Sequence, residues 1–207
     1  MIYLFDFDGT LVDSMPTWAN VQKKVLLDAG ITPSENFVKI ITPLGSYGTA
    51  KYCADIIGKT AEDVLKITDK ALYKKYAEEI PAKENVKETL IELKKRGHSL
   101  NVLTACPHVR LDVCLKRLGI YDLFDNVWSS DDFDSPKSEP KIYFDAAARL
   151  GVSVKDCTFL DDNFNAVKAA RDAGMISVGV YDDTSEEFVN EIKKVSDGYI
   201  YNFSELI

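Results

Sequence analysis

The 207-residue sequence is short of several things, and each shortage removes a class of function. Its four cysteines, Cys53, Cys106, Cys114 and Cys157, lie far apart with no C-x-x-C pair. A zinc site of paired spacing is therefore excluded, and four free thiols are expected rather than two disulfides. No apolar run approaches the ~18 residues of a membrane span, and no basic-then-apolar leader precedes the first apolar segment. A cytoplasmic protein without a membrane partner is the expectation. Positive charge is in deficit, with 25 Lys and Arg against 33 Asp and Glu. A net charge of -8 speaks against nucleic acid as a partner. There is no internal repeat, low-complexity tract or long linker. Asn202-Phe203-Ser204 fits a glycosylation acceptor but has no use without export.

What is present is an ordinary globular composition, 46% hydrophobic and 28% charged, long enough for one domain with a modest insertion. Short apolar runs recur at Ile2–Phe7, Ser99–Thr104, Asn126–Ser129, Cys157–Leu160 and Ile176–Val180, with a weaker one at Gly198–Tyr201. Helical patterns lie between them. Lys83–Arg96 stops at Gly97, Val109–Leu118 at Gly119 and Asn163–Ala173 at Gly174. Each glycine is a candidate left-handed helix stop. Strands alternating with helices predict an α/β fold, a parallel sheet covered on both faces. Residues 15–80 break the alternation. They carry helical periodicity without a strand, "GSYGTA" reading as a turn before a second helix and Thr60 with Asp63 as a capping box opening a third. Residues 1–14 and 81–207 are thus expected to form the core, and 15–80 an inserted helical unit.

Ligands of an open parallel sheet bind beyond the carboxyl ends of its strands, and here those ends are polar. "YLFDFDGT" delivers Asp6 and Asp8, "LNVLT" ends in Thr104, and "CTFLDD" ends in Asp161 and Asp162. Lys137 follows the third strand in a polar loop. Carboxylates converging from two strands form an all-oxygen set that suits Mg²⁺. A hydroxyl and a lysine beside them suit a phosphoryl group. Asp6 is then a candidate nucleophile, and Asp8 a candidate proton carrier. Gly9 lets the chain turn sharply away.

In "DFDGTLVDS", Thr104, "KSEPKIY" and "FLDDNFNAVKAARDAGM" the chain resembles, in order, the four motifs of the haloacid dehalogenase superfamily. The resemblance implies a Rossmann-like core, a small helical-bundle cap after the first motif, and a Mg²⁺-dependent phosphatase of a small phosphorylated metabolite. It assigns Asp6 as nucleophile, Asp8 as acid and base whose backbone carbonyl also binds metal, and Thr104 as the phosphate-binding hydroxyl. Lys137 opens the third motif, and Asp161 and Asp162 form the metal-binding pair. Gly9, Thr10 and Ala105 are expected to line the substrate, as are Ser46 and Tyr47 from the insertion. A monomer or weak homodimer is expected. Two positions depart from the family pattern: Ala166 stands where many members carry an acid, and Ala105-Cys106 where asparagine or lysine is commoner.

Blander uses of the same residues are solvated strand ends, an Asp161-Asp162 helix cap, or Lys141 in place of Lys137. His98 is expected to be structural, His108 to start or cap a helix, and Cys106 to be no nucleophile, lacking a histidine–acid pair to activate it. A sugar-phosphate mutase is the alternative activity, although the insertion's first helix holds no histidine. A receiver-type phosphoacceptor would need the acidic pair first and the acceptor later, the reverse of the order here. A metal-free dehalogenase would not use an acid at Asp8.

Overall fold

The computed structural model describes residues 1–207, the side chain of Pro43 excepted. Six strands, β1 (Ile2–Phe5), β2 (Ser99–Thr104), β3 (Asn126–Ser129), β4 (Cys157–Asp161), β5 (Ile176–Val180) and β6 (Gly198–Ile200), form one sheet. Every pairing is parallel, in the order β3-β2-β1-β4-β5-β6. This is the doubly wound arrangement in which the chain reverses direction across the sheet at β1. β1 and β4 are neighbours with Phe5 opposite Leu160, so Asp6 and Asp161 leave the sheet side by side.

Two compact units are distinguished: Met1–Asp13 with Pro81–Ile207, and Ser14–Ile80. In the first, β1 is a central strand buried on both faces, its alternate side chains entering different clusters. Leu4 faces a cluster with Leu103, Tyr143, Phe159 and the alanines of α7 (Pro140–Leu150) and α8 (Phe164–Ala173), while Phe5 packs against Phe124 and Phe203 with Tyr3 stacked beside it. Full burial of such side chains contributes about 1.5–3 kcal/mol each. Helices α5 (Val86–Lys95), α6 (His108–Leu118) and α9 (Val189–Val195) complete this unit. The predicted helix over 83–96 begins three residues late, because Asn85 adopts a left-handed conformation as its N-cap. The predicted stops at Gly97, Gly119 and Gly174 all have positive φ.

The second unit is helical throughout. It comprises α1 (Met15–Asp28), the short α2 (Phe37–Ile41), α3 (Gly45–Ile57) and α4 (Ala61–Glu78), closed around Val25, Leu26, Phe37, Ile41, Cys53 and Val64. "GSYGTA" is a correction to the sequence reading. It is not a turn before a helix but the opening turns of α3, held there by burial of Thr49, Ala50, Cys53 and Ala54. Thr60 caps α4 by accepting from the Asp63 backbone N–H at 3.1 Å. The four cysteines are free and buried, and no helix among the described residues is long and apolar enough to cross a membrane.

Candidate active site

β1 ends sooner than its apolar run. The Asp6 backbone N–H still extends the ladder, donating to Leu160 O at 2.9 Å, but the chain then curls, with the Phe7 carbonyl accepting from Thr10, Leu11 and Val12. Gly9 makes the curl possible twice over. Its φ of +76° is one that L side chains rarely adopt, and a Cβ there would stand 2.6 Å from Oδ2 of Asp162. The turn thus lays Asp162 flat against the Gly9 backbone. Thr10 adds a hydroxyl donated to Oδ1 of Asp162 at 3.1 Å.

Asp6, Asp161 and Asp162 are buried, and each offers a carboxylate oxygen within 4.8 Å of the others. Lys137 lies among them, its Nζ 2.5 Å from Oδ1 of Asp6 and 2.6 Å from Oδ2 of Asp161. Burial drives the Asp161 carboxyl up to about 7, assisted by the Asp6 charge and opposed by Lys137. Burial likewise raises Asp162, with Asp161 and Asp6 adding repulsion. Ionised together, three carboxylates against one ammonium would leave a surplus of negative charge in a dry site. An all-oxygen donor set with that surplus fits a hard divalent cation.

The two candidate lysines lie in different surroundings. Lys141 is exposed and paired with Asp145, whereas Lys137 is buried among the carboxylates. The ammonium also lies 5.5 Å from the centre of the Phe159 ring. Asp161 and Asp162 are not the cap of the helix that follows. Asn163 caps α8, and Asp161 Oδ1 accepts from the Asn163 N–H at 2.7 Å. Thr104 is buried and accepts from the Cys106 N–H at 3.1 Å, which leaves its own proton to be donated. The Asp8 carboxylate does not join the three-carboxylate group. It hydrogen-bonds instead to the Cys106 thiol, which Arg110 also contacts. Burial pushes that thiol well above its ordinary value, which disfavours the thiolate that nucleophilic attack needs. His108 starts α6 with Nε2 2.8 Å from Asp132 and Nδ1 3.3 Å from Asp112. His98 sits at the opposite end of the sheet against the chain's amino group. Ser46 and Tyr47 are exposed in the first turn of α3.

Two residues of the site escaped the sequence reading. Tyr143 places its hydroxyl 2.7 Å from Lys137 O and 3.0 Å from Ala166 O, tying the lysine loop to α8. It stood in the quoted "KSEPKIY", without a role. Lys83 donates to Gly9 O and Tyr181 O, both at 2.6 Å, and contacts Asp182. No local pattern announces it.

The haloacid dehalogenase-like hydrolase family model matches residues 3–180, a span that contains Asp6, Asp8, Thr104, Lys137, Asp161 and Asp162. The chain belongs to this family. It is 30% identical to a pyrophosphatase, PpaX, of Bacillus velezensis, over 86% of this chain and 81% of the relative. It is 30% identical to a phosphoglycolate phosphatase of Neisseria meningitidis, over 85% and 78%. A crystal structure of a predicted phosphoglycolate phosphatase from Haemophilus somnus superposes with a TM-score of 0.85 at 25% identity, covering 99% of this chain and 95% of the other. The Rossmann-like α/β fold expected of the family is thereby shown.

Proposed function

We propose that this hydrolase is a Mg²⁺-dependent phosphatase of a small phosphorylated metabolite, acting through a phosphoryl group carried on Asp6. The observation that carries the reading is the surplus of buried carboxylate charge around Lys137. Such a surplus costs stability unless a cation is its intended occupant, and that cation in turn lets an anionic phosphoryl group approach. Asp6, Asp161 and Asp162, with the Asp8 backbone carbonyl, are the groups that would hold Mg²⁺. When bound, the ion offsets the charge of the substrate phosphate.

The chain's own residues supply the rest. Lys137 engages Oδ1 of Asp6, orienting the carboxylate so that its other oxygen attacks phosphorus. Thr104 donates its hydroxyl to a phosphoryl oxygen. Asp8 gives its proton to the departing alkoxide, and then takes one from the water that cleaves the acyl phosphate. The thiol of Cys106 keeps the Asp8 carboxyl in place between these two tasks. In this reading the helical unit over residues 15–80 has the role of a cap that selects the leaving group. The phosphatase names of relatives in two bacteria support the same reaction class.

The test is p-nitrophenyl phosphate hydrolysis together with intact-mass analysis of quenched protein. Activity should vanish in EDTA and return with Mg²⁺. Asp8→Asn should accumulate protein heavier by one phosphoryl group, because attack on so good a leaving group survives while hydrolysis of the intermediate slows by about 10²–10⁴-fold. Full turnover in chelator, or no adduct in any variant, would overturn the reading.

A further inference from the structure

The Lys83 ammonium is spent entirely inside the protein. Its three protons have three acceptors: the Gly9 carbonyl at 2.6 Å, the Tyr181 carbonyl at 2.6 Å and Oδ2 of Asp182 at 3.0 Å. Asp182 is equally committed, since its Oδ1 accepts from both the N–H and the hydroxyl of Thr184. The side chains of the pair are only 19% and 4% exposed. Lys83 therefore has no donor to offer a substrate. It joins the turn after β1 to the chain leaving β5, across 74 and 98 residues of sequence.

The joint has a consequence for Asp162. Gly9, whose carbonyl Lys83 holds, is the residue against which the Asp162 carboxylate lies, with no room for even a methyl group between them. The next residue, Thr10, donates to that same carboxylate. The backbone of Lys83 is tied to the same turn, its N–H donating to Leu11 O at 3.0 Å. If Gly9 moves, Asp162 must move, and Lys83 is what keeps Gly9 still. We infer that Lys83 is a positioning residue, which sets the Asp162 carboxylate for cation binding by clamping the Gly9–Thr10 turn to the end of β5. The inference rests on the cation site proposed above.

Charge alone makes the opposite forecast, and this is what allows a decision. Lys83 is close enough for its charge to be felt at Asp162. By Coulomb's law, removing it would make the acidic site more attractive to a cation. Loss of position would make the site less so, by about 10–100-fold where an outer-shell partner of a ligand is removed. The experiment is Mn²⁺ binding to the full chain, read by the electron paramagnetic resonance of free Mn²⁺, in wild type, Lys83→Met, Lys83→Arg and Asp162→Asn. Circular dichroism establishes that each is folded. Lys83→Met should bind Mn²⁺ at least about 10-fold more weakly. Lys83→Arg, which keeps the charge but cannot bring one nitrogen to three acceptors, should also bind more weakly, and it carries the test alone if Lys83→Met fails to fold. Unchanged binding in Lys83→Arg, or tighter binding in Lys83→Met, would overturn the inference while leaving the cation site standing. Absence of Mn²⁺ binding in wild type, or full binding in Asp162→Asn, would remove the site itself and the inference with it.

Discussion

The two ends of the sheet hold carboxylates in opposite circumstances. At the amino end, Asp125 accepts from Ser99 Oγ at 2.8 Å and from the Leu100 N–H at 3.1 Å, and pairs with Lys94. Burial pushes its carboxyl up, but these partners together outweigh burial and hold it below its ordinary value. At the carboxyl end, Asp161 and Asp162 are raised, because burial and neighbouring carboxylates outweigh the opposing ammonium, that of Lys137 at Asp161 and that of Lys83 at Asp162. A carboxylate kept for structure is satisfied within the chain. One kept for chemistry is left in want of something the chain does not supply.

The largest expected effect follows from removing a charge at each end. Asp6→Asn should reduce phosphatase activity to background, since an amide cannot carry the phosphoryl group. Asp125→Asn should leave it unchanged. Steady-state assays of both variants measure the contrast, and residual turnover in Asp6→Asn would place the nucleophile elsewhere.

The lysines should differ next. Lys137→Met removes the ammonium that lies between the buried carboxylates of Asp6 and Asp161, and breaking a buried pair in this way costs about 3–5 kcal/mol. Activity should fall with it, because Asp6 loses its orienting partner. Lys94→Met at the half-exposed end should cost no more than about 1 kcal/mol. Urea denaturation of the two variants compares them, and equal costs would erase the distinction between the ends.

Glycine gives a smaller contrast. Gly97 at the amino end and Gly9 at the carboxyl end both have positive φ, +79° and +76°. A methyl group at Gly97 meets nothing within 4 Å, whereas at Gly9 it meets the Asp162 carboxylate. Gly97→Ala should cost only the backbone strain of about 1–2 kcal/mol, with activity intact. Gly9→Ala should cost the same strain and also weaken Mg²⁺ activation, read from the metal dependence of the rate.

This contrast also explains what the sequence disclosed. Strand ends were legible because parallel strands read as apolar runs, and chemistry placed just beyond a run is conspicuous, as at Asp6, Thr104 and Asp161. Helix stops at Gly97, Gly119 and Gly174 were legible because left-handed backbone selects glycine. Hidden features depend on partners distant in sequence. The glycines of "GSYGTA" suggest a loop, yet packing around Cys53 makes them helical. Lys83 bonds to residues 74 and 98 positions away, and a lone lysine carries no sign of that. α7 was obscured because its first turn doubles as the motif containing Tyr143.

The smallest effect is a slope, and its sign separates the two ends. Free Asp in an unfolded chain titrates near ~3.9. Asp161 in the folded protein titrates at about 7, so folding favours its protonated form. Its contribution to stability is complete below the unfolded value and is lost as pH rises through about 7. Asp125, being lowered, contributes above the unfolded value and loses its contribution only in more acid solution. Between about pH 4 and 7 the carboxyl end therefore governs, and in EDTA the melting temperature should fall as pH rises. One kcal/mol corresponds to about 2–4 °C for a chain of this size, so a drop of several degrees is measurable by differential scanning fluorimetry. If the ionised carboxylates hold Mg²⁺ as proposed, the ion should flatten the slope, as should Asp161→Asn without metal. His108, raised chiefly by its hydrogen bond to Asp132, adds a decline of the same sign above its unfolded value. Neither Mg²⁺ nor Asp161→Asn should remove that decline. A melting temperature that rises with pH in EDTA, or one indifferent to Asp161→Asn, would mean that these carboxylates are as well satisfied as Asp125.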